Sequence, residues 1–131
     1  MKITNVAYYT PEGRIVSVKQ LPLIDVELNT AVGTESLVGV SNVDTQRHYV
    51  LNGDIAPRPD MGLLVSSFQV APDTDWLVSG IPPGTIVNHP GGDVVVDDGV
   101  LEWSTPAPGK YFFRFVNFPY EDAEVSVEVT A

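Results

Sequence analysis

The chain has 131 residues, 44% of them hydrophobic, with 11 Pro, 11 Gly and no Cys. That bounds it to one ordinary domain or two very small ones, excludes disulfides and thiolate metal sites, and leaves little room for long helices. The formal net charge is −10: residues 1–60 carry five Lys/Arg against seven Asp/Glu, and residues 61–131 carry two against ten, so the clustered cations that a nucleic-acid backbone requires are missing.

In chain order, Ile3–Tyr9 reads as a strand, and Thr10-Pro11-Glu12-Gly13 places Pro and Gly where a tight turn wants them. Arg14–Lys19 alternates, with Ile15 and Ser17 on one side and Arg14, Val16 and Val18 on the other, so the two segments predict a β-hairpin. Leu23–Thr30 fits either a strand or two turns of helix. Thr34–Val40 returns to strand character. Asn52-Gly53 between short apolar runs is a strong hairpin signal, because both central positions of a type I′ turn need positive φ. Pro57-Arg58-Pro59 stiffens the chain and removes backbone donors, which marks a boundary there.

Beyond the boundary the pattern is regular. Val65–Val70, Trp76–Ser79, Thr85–Asn88, Val94–Val96, Val100–Trp103, Tyr111–Asn117 and Glu124–Thr130 are strand candidates separated by Pro- and Gly-rich turns. Short strands at even spacing predict a sandwich. Val125, Val127 and Val129 share one face of the last strand, Tyr111, Phe113 and Phe115 one face of the strand before it, and Leu101 and Trp103 one face of a third. The expected fold class is all-β: a small N-terminal β unit over residues 1–60, followed by an immunoglobulin-like β-sandwich over 61–131. At that size a sandwich is marginal alone, so help from the first half of the chain or from a neighbouring subunit is expected.

The chemistry of sites is sparse. His48 and His89 lack nearby His or Cys company for zinc. His48 reads as a packing residue and His89 as a solvated loop residue. Asp97-Asp98-Gly99 reads as a hairpin turn rather than a calcium loop. There is no G-x-S-x-G elbow and no Gly-rich phosphate loop. The expectation is therefore a protein that is no enzyme, holds no metal and uses no cofactor. The exposed aromatics expected at strand ends and turns are Tyr8, Tyr9, Trp76, Phe118 and Tyr120, of which Phe118 and Tyr120 fit a packed corner. Tyr8 and Tyr9, with His48, Tyr49 and Arg58, are the candidate partner-binding residues of a docking unit. MKITNVAYYTPEG has no apolar run long enough for a signal peptide, and no stretch approaches the ~18 apolar residues of a membrane span, so synthesis in a cytoplasm without membrane insertion is expected.

Several signatures occur together: Tyr8-Tyr9 with Pro11 and Gly13-Arg14-Ile15, Glu35-Ser36-Leu37-Val38-Gly39, Asp44 before His48-Tyr49-Val50, and Pro57-Arg58-Pro59. In the second half come Ser79-Gly80-Ile81-Pro82-Pro83-Gly84-Thr85, Asp97-Asp98-Gly99-Val100-Leu101-Glu102, Pro108-Gly109-Lys110-Tyr111 and Phe118-Pro119-Tyr120. The combination resembles the short β-rich, tail-fibre-associated proteins of tailed bacteriophages and prophages, and covers most of the chain. The resemblance implies a virion tail component that is assembled in the host cytoplasm and binds phage tail or fibre proteins, as a homo- or hetero-oligomer. The adaptor reading stands beside a second one, a module that binds a host receptor or carbohydrate.

Overall fold

The computed structural model describes residues 2–131 and, among them, every side chain but that of Leu28. The fold is all-β: among the described residues, strands are joined by turns, and two single-turn 3-10 helices are the only helical elements. The chain divides at Pro59/Asp60 into two compact units.

In the first unit, β1 (Ile3–Tyr9) and β2 (Ile15–Pro22) form the predicted hairpin. Its turn is closed by Gly13 N–H donating to Thr10 O (2.8 Å), with Gly13 at φ +95°. The register slips at Tyr8/Tyr9, so Tyr8 lies opposite Ser17 and Tyr9 opposite Ile15. This bulge at Val16 puts Ile15 and Ser17 on opposite faces, against the strict alternation the sequence suggests. The ambiguous stretch forms two 3-10 turns, Leu23–Asp25 and Glu27–Asn29. Asn29 Nδ2 donates to Asp25 O and Thr30 Oγ1 to Val26 O, both at 2.8 Å. Such side-chain bonds compete with a continuing ladder or helix, which is why neither extends.

β3 (Glu35–Val38) pairs with β1, giving the order β2-β1-β3. β4 (His48–Leu51) and β5 (Asp54–Pro57) form a separate two-stranded hairpin, turned by Asn52 and Gly53 at φ 52° and 81° as the sequence predicts. The central strand β1 is covered on both sides. Ala7 packs with Ile15, Val40 and Val50, while Val6 and Tyr8 pack with Val26.

In the second unit, β6 (Leu64–Val65), β8 (Trp76–Ser79) and β11 (Leu101–Trp103) form one sheet, in the order β11-β8-β6. The other sheet takes β7 (Gln69–Val70), β9 (Thr85–His89), β10 (Gly92–Val96), β12 (Gly109–Val116) and β13 (Ala123–Val129), in the order β10-β9-β12-β13-β7. The inward residues of both sheets meet in a single core of Trp76, Val78, Val87, Leu101, Phe113, Phe115 and Val127, so the unit is a two-layer sandwich. Trp76 and Phe113 sit with ring centres 4.7 Å apart, and the indole N–H of Trp76 donates to Ser67 O (2.7 Å), leaving no buried donor unpaired there.

Two expectations change. Val65–Val70 is not one strand: Ser66, Ser67 and Phe68 carry the chain from the first sheet to the second, where β7 runs parallel to β13. Ser66 Oγ accepts from Leu77 N (3.1 Å) and Ser67 Oγ from Gln69 N (3.1 Å), which redirects the backbone out of the ladder. Likewise Asp97-Asp98-Gly99 is no hairpin turn but the crossover from β10 to β11. Val100 N–H donates to Asp98 Oδ1 (3.2 Å), and Gly99 supplies φ +82°.

Candidate functional site

The five residues expected to bind a partner lie on two hairpins of the first unit, Tyr8 and Tyr9 on β1, His48 and Tyr49 on β4, and Arg58 directly after β5. Tyr8 is 2% exposed and its hydroxyl donates to Val26 O (3.1 Å). It is a core residue of the first unit, because two-sided covering of β1 removes the exposed face that a lone hairpin would have. Tyr9 is half-buried, and its hydroxyl donates to Glu35 Oε2 (3.0 Å). That bond, with the nearby carboxylate charge, raises the Tyr9 pKa above the usual tyrosine value.

His48 and Arg58 are brought together, as two braces of one loop. His48 Nδ1 accepts from Asp44 N (2.9 Å), and the Arg58 guanidinium donates to Gln46 O (3.0 Å) while its backbone N–H donates to Arg47 O (2.7 Å). Tyr49 lies opposite Ala56 and beside Gly13, half-buried. His89 is not a solvated loop residue: its ring stacks on Phe113 at 6.1 Å, and Nδ1 accepts from Gly91 N (3.0 Å). Trp76, expected among the exposed aromatics, is fully buried. Phe118 and Tyr120 are half-buried, with Tyr120 against the sandwich core.

Among the described residues, neither of the two exposed rings is among the aromatics expected there. Phe112 and Phe68 are 66% and 67% exposed. The signal for Phe112 was in the alternation itself. If Tyr111, Phe113 and Phe115 point inward, Phe112 stands outward between Lys110 and Arg114. For Phe68 no pattern exists, because it sits in the crossing between sheets.

On the outer face of the five-stranded sheet, register places Phe112 beside Ser126, Lys110 beside Glu128, and Arg114 between Asn88 and Glu124. β12 pairs with β9 only over Arg114–Val116. A groove of about 770 Å³ on this face runs from β9 across β12 to β13, lined by Asn88 and Pro90, by Phe112 and Arg114, and by Glu124 and Ser126. A second depression of about 500 Å³ lies between Phe68, Lys110, Ser126 and Glu128. Lys110 Nζ stands 5.7 Å over the Phe112 ring, and Arg114 is paired to Asp122 at 2.7 Å. The face thus offers two apolar rings set among hydrogen-bonding and charged groups of both signs. No family model and no curated protein matches the sequence. Among the described residues, no three or more His, Asp or Glu side chains gather closely enough to hold a metal ion.

Proposed function

We propose that the protein is a structural component of a bacteriophage tail, an adaptor associated with the fibre or baseplate that acts by protein contact. The tail assignment rests on the sequence resemblance. The observation that supports contact as the mode of action is the outer face of the five-stranded sheet. Two phenyl rings, each about two-thirds exposed, flank adjoining depressions there. Water-exposed aromatic area rimmed by polar groups is what binding surfaces use. The sandwich is read as immunoglobulin-like, a class supported by three features: the two-sheet core, the first strand divided between sheets, and the parallel pairing of β7 with β13. Assembly in the host cytoplasm, oligomerisation and residence in the virion tail belong to the same proposal.

The direct test is a pull-down of fibre and baseplate proteins of the same phage. The intact chain retains one of them, and a Phe68→Ser, Phe112→Ser double variant, whose changes lie on the surface, releases it while keeping its fold. Equal retention by the double variant would move the contact away from this face. A second reading, a host receptor or carbohydrate module, is favoured by Phe112 standing beside Asn88, Arg114 and Glu124, groups that can hydrogen-bond sugar hydroxyls under a stacked ring. Binding on a glycan array, lost in Phe112→Ser, with no tail protein retained, selects that reading instead.

A further inference from the structure

β10 ends the five-stranded sheet, and among the described residues no strand pairs with its outer side. The two-residue turn Pro90-Gly91 makes His89 and Gly92 the closing pair of the β9–β10 ladder. Antiparallel alternation then bonds Gly92, Val94 and Val96 to β9 and turns the N–H and C=O groups of Asp93 and Val95 outward. The Val96 carbonyl accepting from Gly84 N (3.0 Å) agrees with that phase. The side chains beside this edge are apolar and open: Val95 is 57% exposed, Val94 38%, and Ile86, which lies opposite Val95, 43%.

Free edges are ordinarily blunted by Lys, Pro or a bulge. β10 has none of these, for its sequence is Gly92-Asp93-Val94-Val95-Val96 and its register to β9 is unbroken. Its rim is acidic instead. Asp93, Asp97 and Asp98 are exposed around it, and the Asn88 amide turns toward the Asp93 carboxylate. Residues 60–131 contain two cations against eleven acidic residues. One cation, Arg114, is two strands away and bound to Asp122, and the other, Lys110, lies on that same strand β12. The edge therefore presents unpaired backbone groups and β-branched side chains inside a negative field.

We propose that β10 is a strand-pairing edge for an extended segment of a partner protein in which Lys or Arg alternates with β-branched residues. Backbone pairing would use Asp93 and Val95, the apolar side chains of the segment would continue the Val95–Ile86 row, and its cations would reach the Asp rim. A second copy of this chain fits worse, since it sets one net −10 chain and one Asp rim against another. Of the other edge strands, β2 carries Lys19 on the strand beside exposed Val16 and Val18, a cation where β10 has an acid. The inference rests on the reading of the protein as one that acts by contact, and is independent of the tail assignment.

The test is amide hydrogen exchange on the full chain, with and without an alternating Lys-Val peptide of about eight residues, a typical strand length. The amides of Asp93 and Val95 exchange freely alone and become protected with the peptide, while Val94 changes little. Val95→Pro and Val95→Lys, which remove the donor or place a like charge against the segment, each abolish the protection with the sandwich still folded. An alternating Glu-Val peptide gives none. Peptide binding without protection of these two amides, or no binding at millimolar peptide, overturns the proposal. Protection that rises with protein concentration in the absence of peptide, with a dimer in sedimentation, assigns the edge to a second copy and overturns it equally. A tail protein retained in the pull-down despite such a result leaves the contact reading standing and removes only this edge from it.

Discussion

The two units solve the same problem, burying apolar area with short strands, in opposite ways. The second unit builds one core between two sheets, so each strand has an inside and an outside, and burial follows the two-residue period along β12 and β13. The first unit has a three-stranded sheet whose middle strand is covered on both faces, and Val6, Ala7 and Tyr8 are buried in succession. One large core tolerates a residue-by-residue reading of faces. Two small cores sharing one strand do not, because consecutive residues then serve different clusters.

Emptying the larger core should have the largest effect. Trp76→Ala removes the fully buried indole that touches Phe113 and Trp103. The expected loss is about 3–5 kcal/mol, a large part of the 5–15 kcal/mol that typically holds a domain together. The second unit should lose its chemical-shift dispersion while the first keeps its own. Simultaneous loss in both would show that the units fold as one. The counterpart in the first unit is Gly13→Ala. Gly13 holds φ +95°, and a Cβ there would run into the Val50 carbonyl oxygen, which is backbone and has no rotamer to yield. Strain of this kind costs about 1–3 kcal/mol before the clash is counted, and should lower the melting midpoint of the first unit alone.

What the sequence made legible follows the same division. The Asn52-Gly53 and Gly13 turns, the strand positions from Trp76 onward and the inward residues of β11, β12 and β13 are all local properties, set by backbone preference and period. The bulge at Val16, the split of Val65–Val70 and the burial of Tyr8 depend on what packs across from those residues. No window along the chain contains that information. The candidate contact face was half legible: alternation places Phe112 outside, whereas Phe68 is exposed only because Ser66 and Ser67 turn the chain between sheets.

Tyr8 offers a finer measure of the smaller core. Tyr8→Phe keeps the ring among Val6 and Val26 and removes only the bond to Val26 O, which still accepts from Thr30 Oγ1. A destabilisation of about 1 kcal/mol is expected in denaturant unfolding. Tyr8→Ser should cost several times that, since it empties the site as well. If Tyr8→Ser instead left stability untouched and abolished only partner binding, the ring would be a contact residue and the two-sided core of β1 would be wrong.

The smallest effect lies at the neighbouring residue, and its sign is fixed by the hydrogen bond. The neutral Tyr9 hydroxyl donates to Glu35, whereas the phenolate could not donate and would face a like charge, so the folded pKa lies above the usual tyrosine value of 10.0. A group whose folded pKa is raised contributes stability that is complete below its unfolded pKa and is lost as pH climbs through the folded one. The Tyr9–Glu35 bond is therefore intact at neutral pH and fails only on the alkaline side of 10. Because the half-buried Tyr9 meets an exposed Glu35, solvent screening keeps the contribution of the bond to stability small. Phenolate absorbance should show Tyr9 ionising later than an unperturbed tyrosine, and Glu35→Gln should bring that step back toward the ordinary value by removing the carboxylate. An unchanged titration in Glu35→Gln would mean that the hydroxyl is not held across β1 and β3 as the register Tyr9↔Glu35 places it, and would leave Tyr9 free to serve as the contact residue that Tyr8, buried one position earlier, is not.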